Sequence, residues 1–320
     1  MALLPPDPIY LFRSDMGSIH SILFQITSHV ELLYAGTGKG NVHVWNLETN
    51  RQLCQFRSGQ ESCLSLQSLD GENLFVQHKC GLINAYIRTE SDWIKYKSID
   101  IDFYHYCRFQ TFSQNELFVP LKESKVGILS TNTFSMELEL SPPNIEQLGE
   151  VMVIKPMKHK QLVLVGYECG KLLLWDIRQN KILNYLVTEP CPMALDFDIT
   201  LMKGIISGPS DQLQVFTLSE NHIFCDRTKI KLTNPGTSVI TIRPDTKIVA
   251  IGGWDSRVRI YSWKNLRPLA VLDQHRDTVQ DIGYSSDKIV LPPSGCRSCP
   301  VTGSPSQRPP PSVAAALCCP

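Results

Sequence analysis

The chain has 320 residues, 42% of them apolar, with 31 basic and 31 acidic side chains. A formal charge of zero, without runs of like charge, excludes a nucleic-acid or anionic-membrane footprint written into the sequence. No apolar run reaches the ~18 residues of a membrane-spanning helix, and the start, MALLPPDPIYLF, lacks the basic flank of a secretory signal.

The expectation is therefore a soluble, intracellular protein. Charged residues make up 19%, below the roughly 25% of an average domain, which suits strands buried on both faces. Cys54, Cys63, Cys80, Cys107, Cys169, Cys191 and Cys225 stand singly in apolar segments, as small buried hydrophobes in a reducing compartment do.

Along the chain, residues 9–12 form a short apolar run after three prolines, placed to serve as an added outer strand. SIHSILF then reads as a strand, followed by LLYAGTGKG, a strand and glycine turn, and by GNVHVW, which alternates and closes on Trp45. RQLCQF supplies a fourth strand. The alternating phrase returns as GLINAY at Tyr86, SKVGIL at Leu129, GKLLLW at Trp175, DQLQVF at Phe216 and SRVRIY at Tyr261, at intervals of 41, 43, 46, 41 and 45 residues. A sustained period of roughly 40–45 residues, with a large side chain ending one strand, is the signature of four-stranded propeller blades. Residues 45, 86, 129, 175, 216 and 261 are the expected structural anchors. No helix of three or more turns is expected.

These features resemble WD-repeat propellers over about residues 8–291, although the copies are degenerate. Trp45-Asn46 and Trp175-Asp176 approach the Trp-Asp pair, Asp255 and His275 are isolated members, and no copy holds the full Asp/His/Ser/Trp set. Within that class, LTNPG, TIRPD, GWD and RPLAVL in residues 232–275, together with LVLVGYECGKLLLWDI and MALDFD, resemble the ASTRA-associated family. Animal members of that family are called guanine nucleotide-binding protein subunit beta-like proteins. The resemblance implies an all-β, WD40-type propeller of seven blade positions. It also implies a non-catalytic scaffold of the cytoplasm and nucleus, a monomer within a complex. Its partners would be proteins, the ASTRA chromatin-linked assembly or the Tel2–Tti1–Tti2 machinery that matures phosphatidylinositol-3-kinase-like kinases.

The seventh copy begins with TVQDIGY and KIVL but breaks at Pro292. Residues 291–320 hold 8 of the 21 prolines and 4 of the 11 cysteines, and repeated proline cannot continue a central strand. Residues 1–291 are read as the propeller with a truncated last blade, and 292–320 as a disordered tail. Cys296-x-x-Cys299 and Cys318-Cys319 suggest a metal- or lipid-binding tail but lack zinc-finger spacing, and an altered C-terminal end, spliced, frame-shifted or erroneous, is the favoured reading. The truncation predicts a poorly packed 9–12 segment and an exposed edge near residues 289–291.

No catalytic constellation, cofactor site or metal site is read from the sequence. The eight histidines are dispersed and expected at the surface or in turns. Gly36-x-Gly38-x-Gly40 joins two strands and opens no helix, so it is not a phosphate loop. Trp254, Asp255, Arg257 and Arg259 are the candidate partner contacts, with Asp255 also suited to bonding its own turn and the two arginines to a strand's polar face. A heterotrimeric G-protein β subunit, a propeller enzyme and a histone- or phosphopeptide-reading propeller remain as alternatives. The first would need an N-terminal coiled coil, for which the prolines leave no room.

Overall fold

A computed structural model describes residues 10–12, 15–26, 30–69, 71–89, 92–143, 147–157 and 160–285, and the backbone of 315–318. Blade 1 consists of β1 (Ile19–Ile26), β2 (Glu31–Thr37), β3 (Asn41–Asn46) and β4 (Arg51–Arg57). Blade 2 holds β5 (Cys63–Ser68), β6 (Asn73–His78), β7 (Leu82–Arg88) and β8 (Trp93–Asp100). Blade 3 holds β9 (Gln110–Thr111), β10 (Glu116–Pro120), β11 (Val126–Ser130) and β12 (Met136–Leu140). Blade 4 has β13 (Val151–Met157), β14 (Leu162–Tyr167), β15 (Lys171–Asp176) and β16 (Lys181–Val187); blade 5 has β17 (Ala194–Asp198), β18 (Lys203–Ser207), β19 (Gln212–Leu218) and β20 (Phe224–Lys231). Blade 6 has β21 (Thr237–Ile242), β22 (Ile248–Gly253), β23 (Val258–Ser262) and β24 (Pro268–Leu272); β25 (Val279–Gly283) and β26 (Ala315–Cys318) follow. Each blade is an antiparallel sheet in sequence order, and no α-helix occurs among the described residues.

The repeat therefore produces six four-stranded blades. Between blades 6 and 1, where the period calls for a further blade, lies the two-stranded sheet β25–β26. β25 packs between β21 and β1. Gly252 of β22 permits this approach, because a Cβ there would fall 2.7 Å from Val279. Four residues of the expected tail thus form a strand: the backbone of β26 pairs with β25, Gly283 opposite Ala315. The edge expected near 289–291, Ile9 and the rest of the tail lie outside the described residues.

The period has a physical cause visible at the anchors. Trp45, Tyr86, Leu129, Trp175, Phe216 and Tyr261 all lie on the third strand of their blade and are buried. In every blade the pairing of third and fourth strands shifts register at that residue. A bulge there adds twist and re-aims the side chain. Each anchor then packs into the preceding blade. Tyr86 shares a buried cluster with Leu32, Tyr34 and Val44 of blade 1, Trp175 with Phe118, Val126 and Ile128 of blade 3, and Tyr261 with Ile205 and Val215 of blade 5.

Blade 1 departs from this rule informatively. Trp45 packs on Phe12 and Met16 of the N-terminal segment, with Phe12 ring-to-ring at 5.2 Å in edge contact and only 1% exposed. Residues 10–12 do not form the expected outer strand, nor does Phe12 pack poorly. It supplies the apolar face that a preceding blade provides elsewhere.

Candidate functional site

The first strands of the blades face one another around a central channel. Its cavity, of about 340 Å³, is lined by His20, Lys79, Tyr106, Arg108, Lys155 and Asp196, among others from β1 to β25. Four of the charged side chains on its wall are joined in two clusters. Arg108, just before β9, reaches to β25 and β1: Nη1 meets Asp281 Oδ1 at 2.7 Å, and Nη2 donates to the carbonyls of Gln280 (2.7 Å) and His20 (2.9 Å). The Ile22 amide donates to the other oxygen of Asp281 at 2.9 Å. One carboxylate and one guanidinium therefore tie β25, β1 and blade 3 together, so the ring is closed from within. Across the channel, Lys155 meets Asp196 at 2.5 Å, and the Ile242 amide of blade 6 donates to Asp196 at 2.6 Å.

Antiparallel order places the turn between second and third strands, and the connection to the next blade, at one end of the channel, called here the upper rim. Residues 101–109, IDFYHYCRF, form an extended part of that rim. His105, Cys107 and Phe109 are fully buried, while Tyr104 and Tyr106 are each 52% exposed. Buried bonds hold this alternation. The His105 amide donates to the Lys79 carbonyl (3.0 Å), Gln77 Nε2 to the Cys107 carbonyl (3.1 Å), and the Phe109 amide to Gln77 Oε1 (2.8 Å). Tyr104 and Tyr106 meet edge to face at 5.8 Å, and the Lys79 ammonium lies 5.1 Å from the Tyr106 ring centre.

The Lys79 turn is itself pinned. Gly81 closes it at φ +94, and a Cβ there would strike the Phe103 carbonyl at 2.7 Å. Beneath it His78 Nδ1 donates to the Glu61 carbonyl (2.9 Å), so Nε2 accepts from Ser58 Oγ (3.0 Å). Tyr86 OH donates to Ser58 Oγ at 3.1 Å, and Asn84 Nδ2 to the Ser58 carbonyl at 2.7 Å. This Ser58–His78–Asn84–Tyr86 set escaped the sequence reading because its members are spread over the connection after β4, the end of β6 and β7, with no Trp-Asp pair to mark them. The signal that could have found the rim is the strict in-out alternation of FYHYCRF.

The histidines correct the sequence expectation. His43, His78, His105 and His275 are buried; His29 and His159 lie outside the described residues. Burial lowers His105 and His275 to about 4. Burial, then the charges of Lys79 and Arg108, does the same to His20, which bonds Ser62 Oγ at 2.6 Å.

The residues singled out in the sequence lie on the blade 6 part of the same rim. Trp254 is 43% exposed and packs on Gly236. Arg257 is exposed, whereas Arg259 is buried, its two Nη atoms on the two oxygens of Asp255 at 3.0 and 2.5 Å. Asn234 Nδ2 adds a third bond at 2.9 Å. Burial disfavours the Asp255 carboxylate, but the bonds from Arg259 and Asn234 and the Arg259 charge outweigh it and hold the group at about 2. Asp255 and Arg259 are thus spent on each other, and the two strand arginines are not equivalent. Trp254 and Arg257 are the members left facing solvent. No group of three or more metal-ligating side chains is found among the described residues.

No protein-family model matches the chain. It is 30% identical to mouse guanine nucleotide-binding protein subunit beta-like protein 1, over 89% of this chain and 92% of that protein. It is 37% identical to the ASTRA-associated protein 1 of Penicillium rubens, over 91% and 84% of the two chains, and 22% identical to that of Schizosaccharomyces pombe, over 90% and 96%. The matches cover most of both chains rather than one repeat, and the chain belongs to the WD-repeat family of guanine nucleotide-binding protein subunit beta-like protein 1 and the ASTRA-associated proteins.

Proposed function

We propose that this chain is a non-catalytic scaffold that joins a multiprotein assembly as a single copy. In this reading β25 is the inner strand of a seventh blade position. The assembly is the Tel2–Tti1–Tti2 machinery that matures phosphatidylinositol-3-kinase-like kinases, or its chromatin-linked ASTRA counterpart, in cytoplasm and nucleus. The observation that carries this is full-length relatedness to proteins named as ASTRA-associated. The channel supports it: Arg108 with Asp281 and Lys155 with Asp196 are engaged with each other and with backbone on its wall, while Tyr104, Tyr106 and Trp254 are exposed on the upper rim.

The test is affinity capture of the tagged full chain from cells, followed by mass spectrometry. Recovery of Tel2, Tti1 and Tti2 is the expected result. Recovery of G-protein γ subunits in their place would assign the chain to signalling and overturn the proposal.

A further inference from the structure

The upper rim carries its charge unevenly. Over blades 3 to 6 five of its cations have carboxylates: Lys122 with Asp102, Lys125 with Glu123, Lys229 with Glu189, Lys231 with Asp211, and Arg259 with Asp255. Lys171 lies over the Tyr185 ring, and the exposed Arg257 and Arg276 have no carboxylate partner among the described residues. Over blades 1 and 2 the pattern changes. Lys39, Arg57 and Lys79 have no carboxylate partner among the described residues; Arg57 Nε donates only to the Gly59 carbonyl. Lys79 opens onto the channel cavity beside Tyr106. Glu61 and Asp100, both exposed, are the local acids, with Asp100 opposite Leu82 beside the Lys79 turn.

We propose that this corner binds an acidic segment of a protein partner. Lys39, Arg57 and Lys79 receive its carboxylates, and Tyr104 and Tyr106 cover its apolar side chains. The proposal rests on the scaffold reading and names the chemistry of its docking site.

Three features support it. The first is charge complementarity: three cations without a carboxylate partner against two carboxylates, Glu61 and Asp100, leave a positive excess on a chain of zero net charge, and such patches steer association and set partner choice. The second is exposure: two neighbouring tyrosines half open to solvent are the residue type most enriched at docking hot spots. The third is rigidity. The backbone of Lys79 is held at both ends, its amide on the Ser62 carbonyl (3.3 Å) and its carbonyl on the His105 amide (3.0 Å). The alternation of 103–109 is likewise locked, so little ordering is required on binding.

The experiment has two arms. In the first, the purified full chain is titrated against a fluorescein-labelled peptide of ten glutamates around a central Phe-Phe, followed by anisotropy. Binding that weakens with salt is expected, with Lys79→Glu weakening it at least tenfold, Tyr106→Ala several-fold, and Glu61→Gln strengthening it. Equal binding by parent and Lys79→Glu overturns the proposal, as does binding of a phosphoserine peptide with none of the glutamate peptide. Circular dichroism melts of each variant show that its fold is kept. In the second arm, cell capture is repeated with Lys79→Glu/Tyr106→Ala. Undiminished capture by this variant overturns the docking site and leaves the scaffold reading standing. A parent that captures no kinase-maturation protein, yet binds the glutamate peptide through Lys79, overturns the partner assignment and leaves the site standing.

Discussion

Replacing Asp281 with alanine removes the group on which ring closure turns. Three donors lose their acceptor: Arg108 Nη1 at 2.7 Å and the amides of Ile22 and Ile282, each at 2.9 Å. The Ile22 amide is buried between β1 and β25, and an orphaned buried donor costs about 1–3 kcal/mol. Arg108 is more tolerant. Its side chain is 25% exposed and Nη2 keeps the His20 and Gln280 carbonyls, so water can partly replace the lost partner and the penalty stays below the ~3–5 kcal/mol of a fully buried broken pair. Together these give about 3–4 kcal/mol. Urea denaturation of Asp281→Ala against the parent, with unchanged m-value, reads this directly. Arg108→Ala should cost about 2 kcal/mol, since Asp281 keeps its two amides, and the double variant should fall well short of the sum. A loss below about 1 kcal/mol for Asp281→Ala, or strict additivity, would refute closure through this carboxylate.

Other outcomes follow from single residues. Trp175→Ala should cost about 3–5 kcal/mol, read as a urea midpoint shift, because its indole joins blades 3 and 4 at 1% exposure. His275 has neither ring nitrogen hydrogen-bonded and sits at about 4 in the fold, against 6.5 for an exposed imidazole. The unfolded chain therefore binds its proton first, so its contribution is whole above pH 6.5 and is lost as pH falls toward 4. His275→Leu should leave stability at pH 7.5 within about 1 kcal/mol of the parent and flatten the decline between pH 6.5 and 5, worth about 2 kcal/mol. Thr246 holds φ +55 in the turn between β21 and β22, where a β-branched residue is strained. Thr246→Asn should stabilise by about 0.5–1 kcal/mol, seen as a higher melting temperature.

What the sequence displays is what repeats. The anchors from Trp45 to Tyr261 were legible because each blade must meet the same bulge with a large side chain, so the constraint recurs every 41–46 residues. Closure was not legible, because it occurs once. Arg108 and Asp281 are 173 positions apart, and only the assembled channel sets them 2.7 Å from each other. Phe12 misled for a related reason: a short apolar run reads as a strand, yet its role is to fill the face of Trp45 that has no preceding blade. Arg257 and Arg259 alternate along one strand and look alike in sequence; the bidentate bond to Asp255 separates them. The rim of 101–109 lay in a connection, where the repeat imposes no pattern.

The central claim, that this propeller serves as a docking platform through its upper rim, is tested most directly by hydrogen–deuterium exchange. The full chain would be measured alone and with purified Tel2–Tti1–Tti2. Slowed exchange in residues 78–81 and 101–109 on addition of the complex, with the strand cores unchanged, is the expected result. No change anywhere on the rim at concentrations that saturate binding, or protection confined to the opposite end of the channel, would contradict it.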